Sequence, residues 1–133
     1  MAAPRYAVFG HPVAHSLSPH IHAAFAAQCG IALAYERVDA SPGAFADALA
    51  AFARDGGRGA NVTLPHKQAV IDLVEDRGNV RETIGAMNTL FLAEDGALVG
   101  TNTDAGGFLQ PLLRDKWKGR HAVLIGAGGA ARA

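Results

Sequence analysis

Apolar residues along this chain fall in short runs that alternate with spaced stripes, the pattern of strands and helices taken in turn. Tyr6-Ala7-Val8-Phe9 is a run closed by Gly10 and Pro12, which predicts a buried strand feeding a loop. Ser18-Pro19 reads as an N-cap with proline at the first helical position, and Ile21, Phe25 and Cys29 recur at four-residue spacing until Gly30. A second strand is expected over Leu33 to Val38, followed by a helix opened by Ser41-Pro42. That helix carries Phe45, Leu49 and Phe52 on one face and ends at Gly56-Gly57. Ala60 to Leu64 predicts a third strand, Pro65 the start of a helix bearing Val70 and Val74, and Asp76 to Asn79 a turn. Strands alternating with helices imply a mainly parallel sheet with helices on both faces, an α/β three-layer sandwich.

The rhythm changes after residue 87. Asn88 to Ala93 and Ala97 to Thr101 are strand-like runs separated by Glu94-Asp95-Gly96, which predicts one antiparallel hairpin. A connecting helix is expected from about Thr103 to Lys116, with Pro111 kinking or interrupting it. His121 to Ile125 reads as a further buried strand running into Gly126-Ala127-Gly128-Gly129-Ala130-Ala131. A strand leading into Gly-x-Gly-x-x-Ala resembles the opening of a dinucleotide-binding unit: Gly126 permits the tight turn, Gly128 admits a pyrophosphate, and small Ala131 lets helix and strand pack closely. The same residues read as well as a plain glycine-rich turn.

Composition narrows the chemistry. The 133 residues carry 12 basic and 12 acidic side chains, scattered rather than clustered, so neither nucleic acid nor an anionic membrane is an expected partner. The one cysteine, Cys29, excludes an internal disulfide and a cysteine-rich zinc site, fits a reducing cytoplasmic setting, and is expected to be small and buried. The N-terminal apolar run is too short for a signal sequence or a membrane span. His15, His20 and His22 lack acidic or cysteine partners at metal-binding spacing and are expected as surface or loop residues, so no metal site is expected.

Three polar clusters stand at predicted strand ends, where open α/β sheets bind ligands. In His15-Ser16-Leu17-Ser18-Pro19 the two hydroxyls suit a carboxylate or polyol, or else serve as a turn residue and a helix cap. In Asn61-Val62-Thr63-Leu64-Pro65-His66-Lys67, Lys67 falls in a first helical turn, where the helix dipole disfavours a cation; a carboxylate or an anionic ligand would account for it, as would plain solvent exposure. His66 reads as an exposed neighbour. In Thr101-Asn102-Thr103-Asp104, Asp104 is either a cap or an ionic partner that positions Lys67 for proton transfer. Asn88-Thr89 offers an amide to the same cleft or a turn.

Taken together these clusters resemble the shikimate dehydrogenase family. The match runs through Gly10-x-Pro12-x-x-His15-Ser16-x-Ser18-Pro19-x-x-His22, Asn61-Val62-Thr63-x-Pro65-x-Lys67, Gly85-Ala86-x-Asn88-Thr89, Asn102-Thr103-Asp104 and Gly126-Ala127-Gly128-Gly129-Ala130. The resemblance implies a substrate-binding catalytic domain over 1–104, a connector helix over 105–118 and the start of a truncated NADP-binding Rossmann domain over 119–133. It further implies NADP-dependent reduction of 3-dehydroshikimate to shikimate on the route to chorismate and the aromatic amino acids, with a homodimer left open. By resemblance, Ser16 and Ser18 bind the substrate carboxylate, and Thr63, Lys67, Asn88 and Asp104 contact ring hydroxyls. Lys67 is the acid/base, Asp104 its partner, and Gly126, Ala127, Gly128, Gly129 and Ala130 the cofactor turn. The chain matches only about the first half of a family member, so by itself it is expected to bind shikimate without turnover. A quinate or shikimate dehydrogenase using NAD is the alternative. His66 departs from the family, which often has an aromatic residue there.

Overall fold

The structure, a computed structural model, describes residues 2–133. Its centre is a five-stranded sheet in the order β2-β1-β3-β4-β5. Strands β1 (Arg5–Gly10), β2 (Ala34–Asp39) and β3 (Gly57–Val62) run parallel, with β1 in the middle. The pair β4 (Thr89–Leu92) and β5 (Leu98–Thr101) is antiparallel, as expected of the hairpin, and joins the edge of β3. The fold is therefore α/β with a mixed sheet.

Side chains alternate across this sheet and sort the helices onto its two faces. Ala7, Phe9, Ala60 and Val62 point to one face, where they meet Phe45, Leu49 and Phe52 of α2 (Phe45–Arg54). Phe9 sits edge-on to Phe45 and Phe52 at centroid distances of 5.9 and 5.5 Å. Burial of such a ring stabilises the fold by roughly 1.5–3 kcal/mol. The other face carries α1 (Ser18–Cys29), whose His22 stacks on Tyr35 of β2 at 4.2 Å. The expected stripe on α1 is displaced by one residue. Ile21, Phe25 and Cys29 are exposed, and the helix seats itself through His22 and Ala26 instead. The small Ala26 admits close approach, and the His22 ring already fills the space above Tyr35. Ser18 is likewise not the cap: the helix follows Leu17, and Pro19 lies within its first two positions.

Two other elements depart from expectation. After Pro65 the chain forms turns and a short 3-10 segment, Ala69–Leu73, rather than an α-helix. Its continuation is committed elsewhere: Glu75 bridges to Val99 of β5, donating to Leu98 O and accepting from Gly100 N, so the backbone must be extended by residue 75. The tighter i→i+3 winding suits so short a span. Residues 121–125 form no strand. Val123 and Ile125 are 90% and 94% exposed, since a strand needs a neighbour to pair with and no strand of the sheet lies alongside.

The remaining elements are α3 (Val80–Thr83), α4 (Asp104–Arg114) and α5 (Gly129–Arg132). Helix α4 runs through Pro111 without interruption. Helix α3 begins where Asp76 accepts hydrogen bonds from the backbone N–H groups of Gly78, Val80 and Arg81, which hold its carboxyl below the usual range. No helix among the described residues is long and apolar enough to cross a membrane.

Candidate active site

Four chain segments end at one edge of the sheet. Parallel β1 and β3 deliver the loops after Gly10 and Val62 there, β4 starts there, and β5 ends there because it is antiparallel to β4. Between them lies a cavity of about 430 Å³. Ser16, Ser18, Thr63, Lys67, Asn88 and Asp104, the residues singled out in the sequence, all line it. The loops meet closely: a Cβ on Gly10 would lie 2.6 Å from the Thr63 methyl, so only glycine lets the first loop pass the second.

Lys67 and Asp104 form an ion pair in the wall of this cavity. Nζ of Lys67 lies 2.6 Å from Oδ2 of Asp104, with the two side chains 13% and 35% exposed. Since no α-helix begins at Pro65, the helix-dipole argument for an anionic partner falls away, and Asp104 alone accounts for the placement of the ammonium. The other carboxylate oxygen accepts a bond from Asn88 Nδ2 at 2.9 Å, while Asn88 Oδ1 accepts from the Thr103 N–H at 2.8 Å. Buried Asn88 thus fixes Asp104 to the sheet, and Asp104 fixes Lys67. Asn102, not Thr103 or Asp104, supplies the side-chain acceptor at the start of α4, taking the Ala105 N–H at 3.1 Å.

Asn61 also lines the cavity, and Tyr35 of β2 supports it from behind. Asn61 donates to Asn88 O and Thr89 Oγ1, each at 3.3 Å, and accepts from the Tyr35 hydroxyl at 2.7 Å. Burial pushes the Tyr35 phenol up to about 12, with the Ser18 hydroxyl opposing the shift, so Tyr35 remains a donor across the neutral range. The asparagine was visible as the first residue of its cluster; the tyrosine gave no signal beyond a strand-forming side chain. His66 also differs from expectation. It is 1% exposed, stacks on Phe45 at 4.0 Å, and its Nε2 lies 2.7 Å from Ala40 O. In shape it fills an aromatic slot, and its ring N–H gives it a hold on the backbone that a phenyl ring would lack.

At the serine end, Ser16 Oγ accepts the Ser18 N–H at 3.3 Å, a tight turn that leaves both serines lining the cavity. His15 and His20 are exposed, and no group of acidic, histidine or cysteine residues able to hold a metal occurs among the described residues. The glycine-rich run turns at Gly126, with φ of 119°, and enters α5 at Gly129. Gly129 is buried against the site: a Cβ there would lie 2.8 Å from Lys67 Cβ. Gly126 and Gly128 face open space, which suits the approach of a diphosphate to the backbone.

The family model for the shikimate dehydrogenase substrate binding domain matches residues 8–90. The chain belongs to this family. It is 52% identical over 135 aligned positions to the shikimate dehydrogenase (NADP(+)) of Xanthomonas campestris pv. campestris strain B100, covering 99% of this chain and 47% of that relative. Among solved structures, the Thermus thermophilus shikimate 5-dehydrogenase in complex with shikimate superposes with a TM-score of 0.87 at 42% identity, over 97% of this chain and 49% of that one. A ligand-free 5-ketofructose reductase of Gluconobacter sp. strain CHM43 matches with a TM-score of 0.79 at 31% identity, over 86% and 41% of the two chains. The chain spans about half the length of the curated relatives it matches.

Proposed function

We propose that this chain is the substrate-binding and proton-transferring part of an NADP-dependent shikimate dehydrogenase. The observation that carries the reading is the Lys67–Asp104 pair, clamped by Asn88 inside a cavity that also holds the Ser16 and Ser18 hydroxyls. In this reading residues 1–104 bind substrate, 105–118 connect, and 119–133 begin the cofactor domain. The serine hydroxyls receive the ring carboxylate, and Thr63, Asn88 and Asp104 the ring hydroxyls. When bound, the nicotinamide cofactor would provide the hydride that the ring carbonyl carbon of 3-dehydroshikimate accepts. As the C=O pair moves onto oxygen, the Lys67 ammonium gives that oxygen a proton, and the neutral amine regains one from solvent. Asp104 holds the amine on the reacting oxygen and stabilises its charged form. Backbone N–H groups from Gly126 to Ala130 would approach the cofactor diphosphate. The reading expects a cytoplasmic protein; a homodimer is its assembly to test by light scattering.

Calorimetric titration tests the binding part. The chain is expected to bind shikimate and not NADPH, and Lys67→Ala to weaken shikimate. In the full-length enzyme, Lys67→Ala should lower the rate of shikimate oxidation by roughly 10²–10⁴-fold, the usual worth of a positioned acid/base. An unchanged rate rejects the lysine assignment. Tighter binding of quinate than of shikimate, or preference for NAD in the full-length enzyme, selects the alternative activity.

A further inference from the structure

Arg37 stands beside the serine end of the cavity and has no assigned role there. It lies in β2 in register with Val8 of β1, which lines the cavity. Its Nε and Nη2 donate to the Ser16 carbonyl oxygen at 3.0 and 2.7 Å. The Ser16 peptide is thereby turned with its carbonyl toward Arg37, while its hydroxyl takes the Ser18 N–H at the cavity wall. Among the described residues no carboxylate pairs with Arg37. Asp39, next on the same face of β2, is held instead by His11 Nδ1 at 2.6 Å and the Val13 N–H at 3.2 Å. At the far end of the cavity the Lys67 charge is matched by Asp104. The serine end therefore combines uncharged hydroxyl donors with one unmatched guanidinium behind them.

We propose that Arg37 makes this end of the cleft selective for a carboxylate over a neutral group, by fixing the Ser16 turn and by lending it an unpaired positive charge. The inference rests on the proposed substrate class and deepens it. Hydroxyls offer hydrogen bonds to an ester or an amide as well as to a carboxylate, so their preference for the charged group rests on bond strength alone. The field of a nearby cation acts chiefly on a charged ligand, and it is screened by salt. Arg37 acts through the turn and through its field without touching the ligand, so it is a specificity-determining residue and not a catalytic one.

The test is calorimetric titration of the chain, Arg37→Gln and Arg37→Lys with shikimate and with its methyl ester, at low and high salt, after thermal unfolding has verified that each variant folds. Arg37→Gln should weaken shikimate by about three- to tenfold more than it weakens the ester, the worth of a unit charge at short range near the surface. The difference should shrink in high salt, and Arg37→Lys, which keeps the charge, should restore most of it. Equal losses for both ligands would show that Arg37 only props the turn, and unchanged binding of both would remove it from the site; either result overturns the proposal. If the unaltered chain binds neither ligand, the substrate reading itself fails and takes this inference with it.

Discussion

At the scale of single residues, the site is a chain of fixations in which each side chain holds the next. Asn88 is anchored in the sheet and holds Asp104, and Asp104 holds Lys67. Gly129 closes the chain from the other side, since its missing side chain is what admits the Lys67 stem. Gly129→Ala places a methyl group 2.8 Å from Lys67 Cβ, a contact that neither backbone-proximal atom relieves easily. The expected cost is about 1–3 kcal/mol in urea unfolding, with weaker shikimate binding. Gly107→Ala in α4, where a Cβ meets nothing within 4 Å, should instead be neutral or stabilising by up to about 1 kcal/mol. Asn88, Asp104 and Lys67 could be picked out because polar side chains cluster where the apolar runs end, although each also admitted a cap, turn or solvent role. Tyr35 and Arg37 could not, because within a strand their spacing reports only which face they occupy.

At the scale of elements, apolar spacing identified the face of α2 correctly and that of α1 wrongly. Phe45, Leu49 and Phe52 are large, and nothing on α2 competes with them for the core. Helix α1 is rich in alanine, and there a histidine able to stack on Tyr35 fixes the rotation while Ile21 and Phe25 remain outside. Ala26→Leu should therefore destabilise the chain by about 1–3 kcal/mol through overpacking, whereas Ile21→Ser should stay within about 0.5 kcal/mol; chemical denaturation of both variants checks the assignment. The segment after Pro65 was misread for a different reason. Its winding is decided by where Glu75 must pair, a long-range demand that local propensity does not contain.

At the scale of the whole molecule, the sheet and its helices are packed around one core, and Val123 to Ile125 are not part of it. Leu124 lies largely in solvent beside Phe108 and Leu109 of α4, and Ile125 is also exposed, apolar surface of the kind that drives self-association. Removing residues 119–133 should lower the aggregation rate measured by light scattering, at the expense of the Gly129 contact on Lys67. No decrease in aggregation would locate the sticky surface elsewhere. The architecture was legible as an alternating α/β pattern with one hairpin, while the fate of residues 121–125 depended on neighbours that a single run of apolar residues cannot specify.

The antiparallel course of β4 and β5 has a further consequence for how the chain can be altered. Because both strands meet the cavity with the ends nearest Asn88 and Thr101, the Glu94-Asp95-Gly96 turn is carried to the opposite rim of the sheet. The molecule thus has a chemical pole and a tolerant pole. A fluorophore, a tether or new chain termini introduced at the tolerant pole would leave the cleft intact, making the hairpin tip the natural handle for attaching this domain to a surface or a sensor.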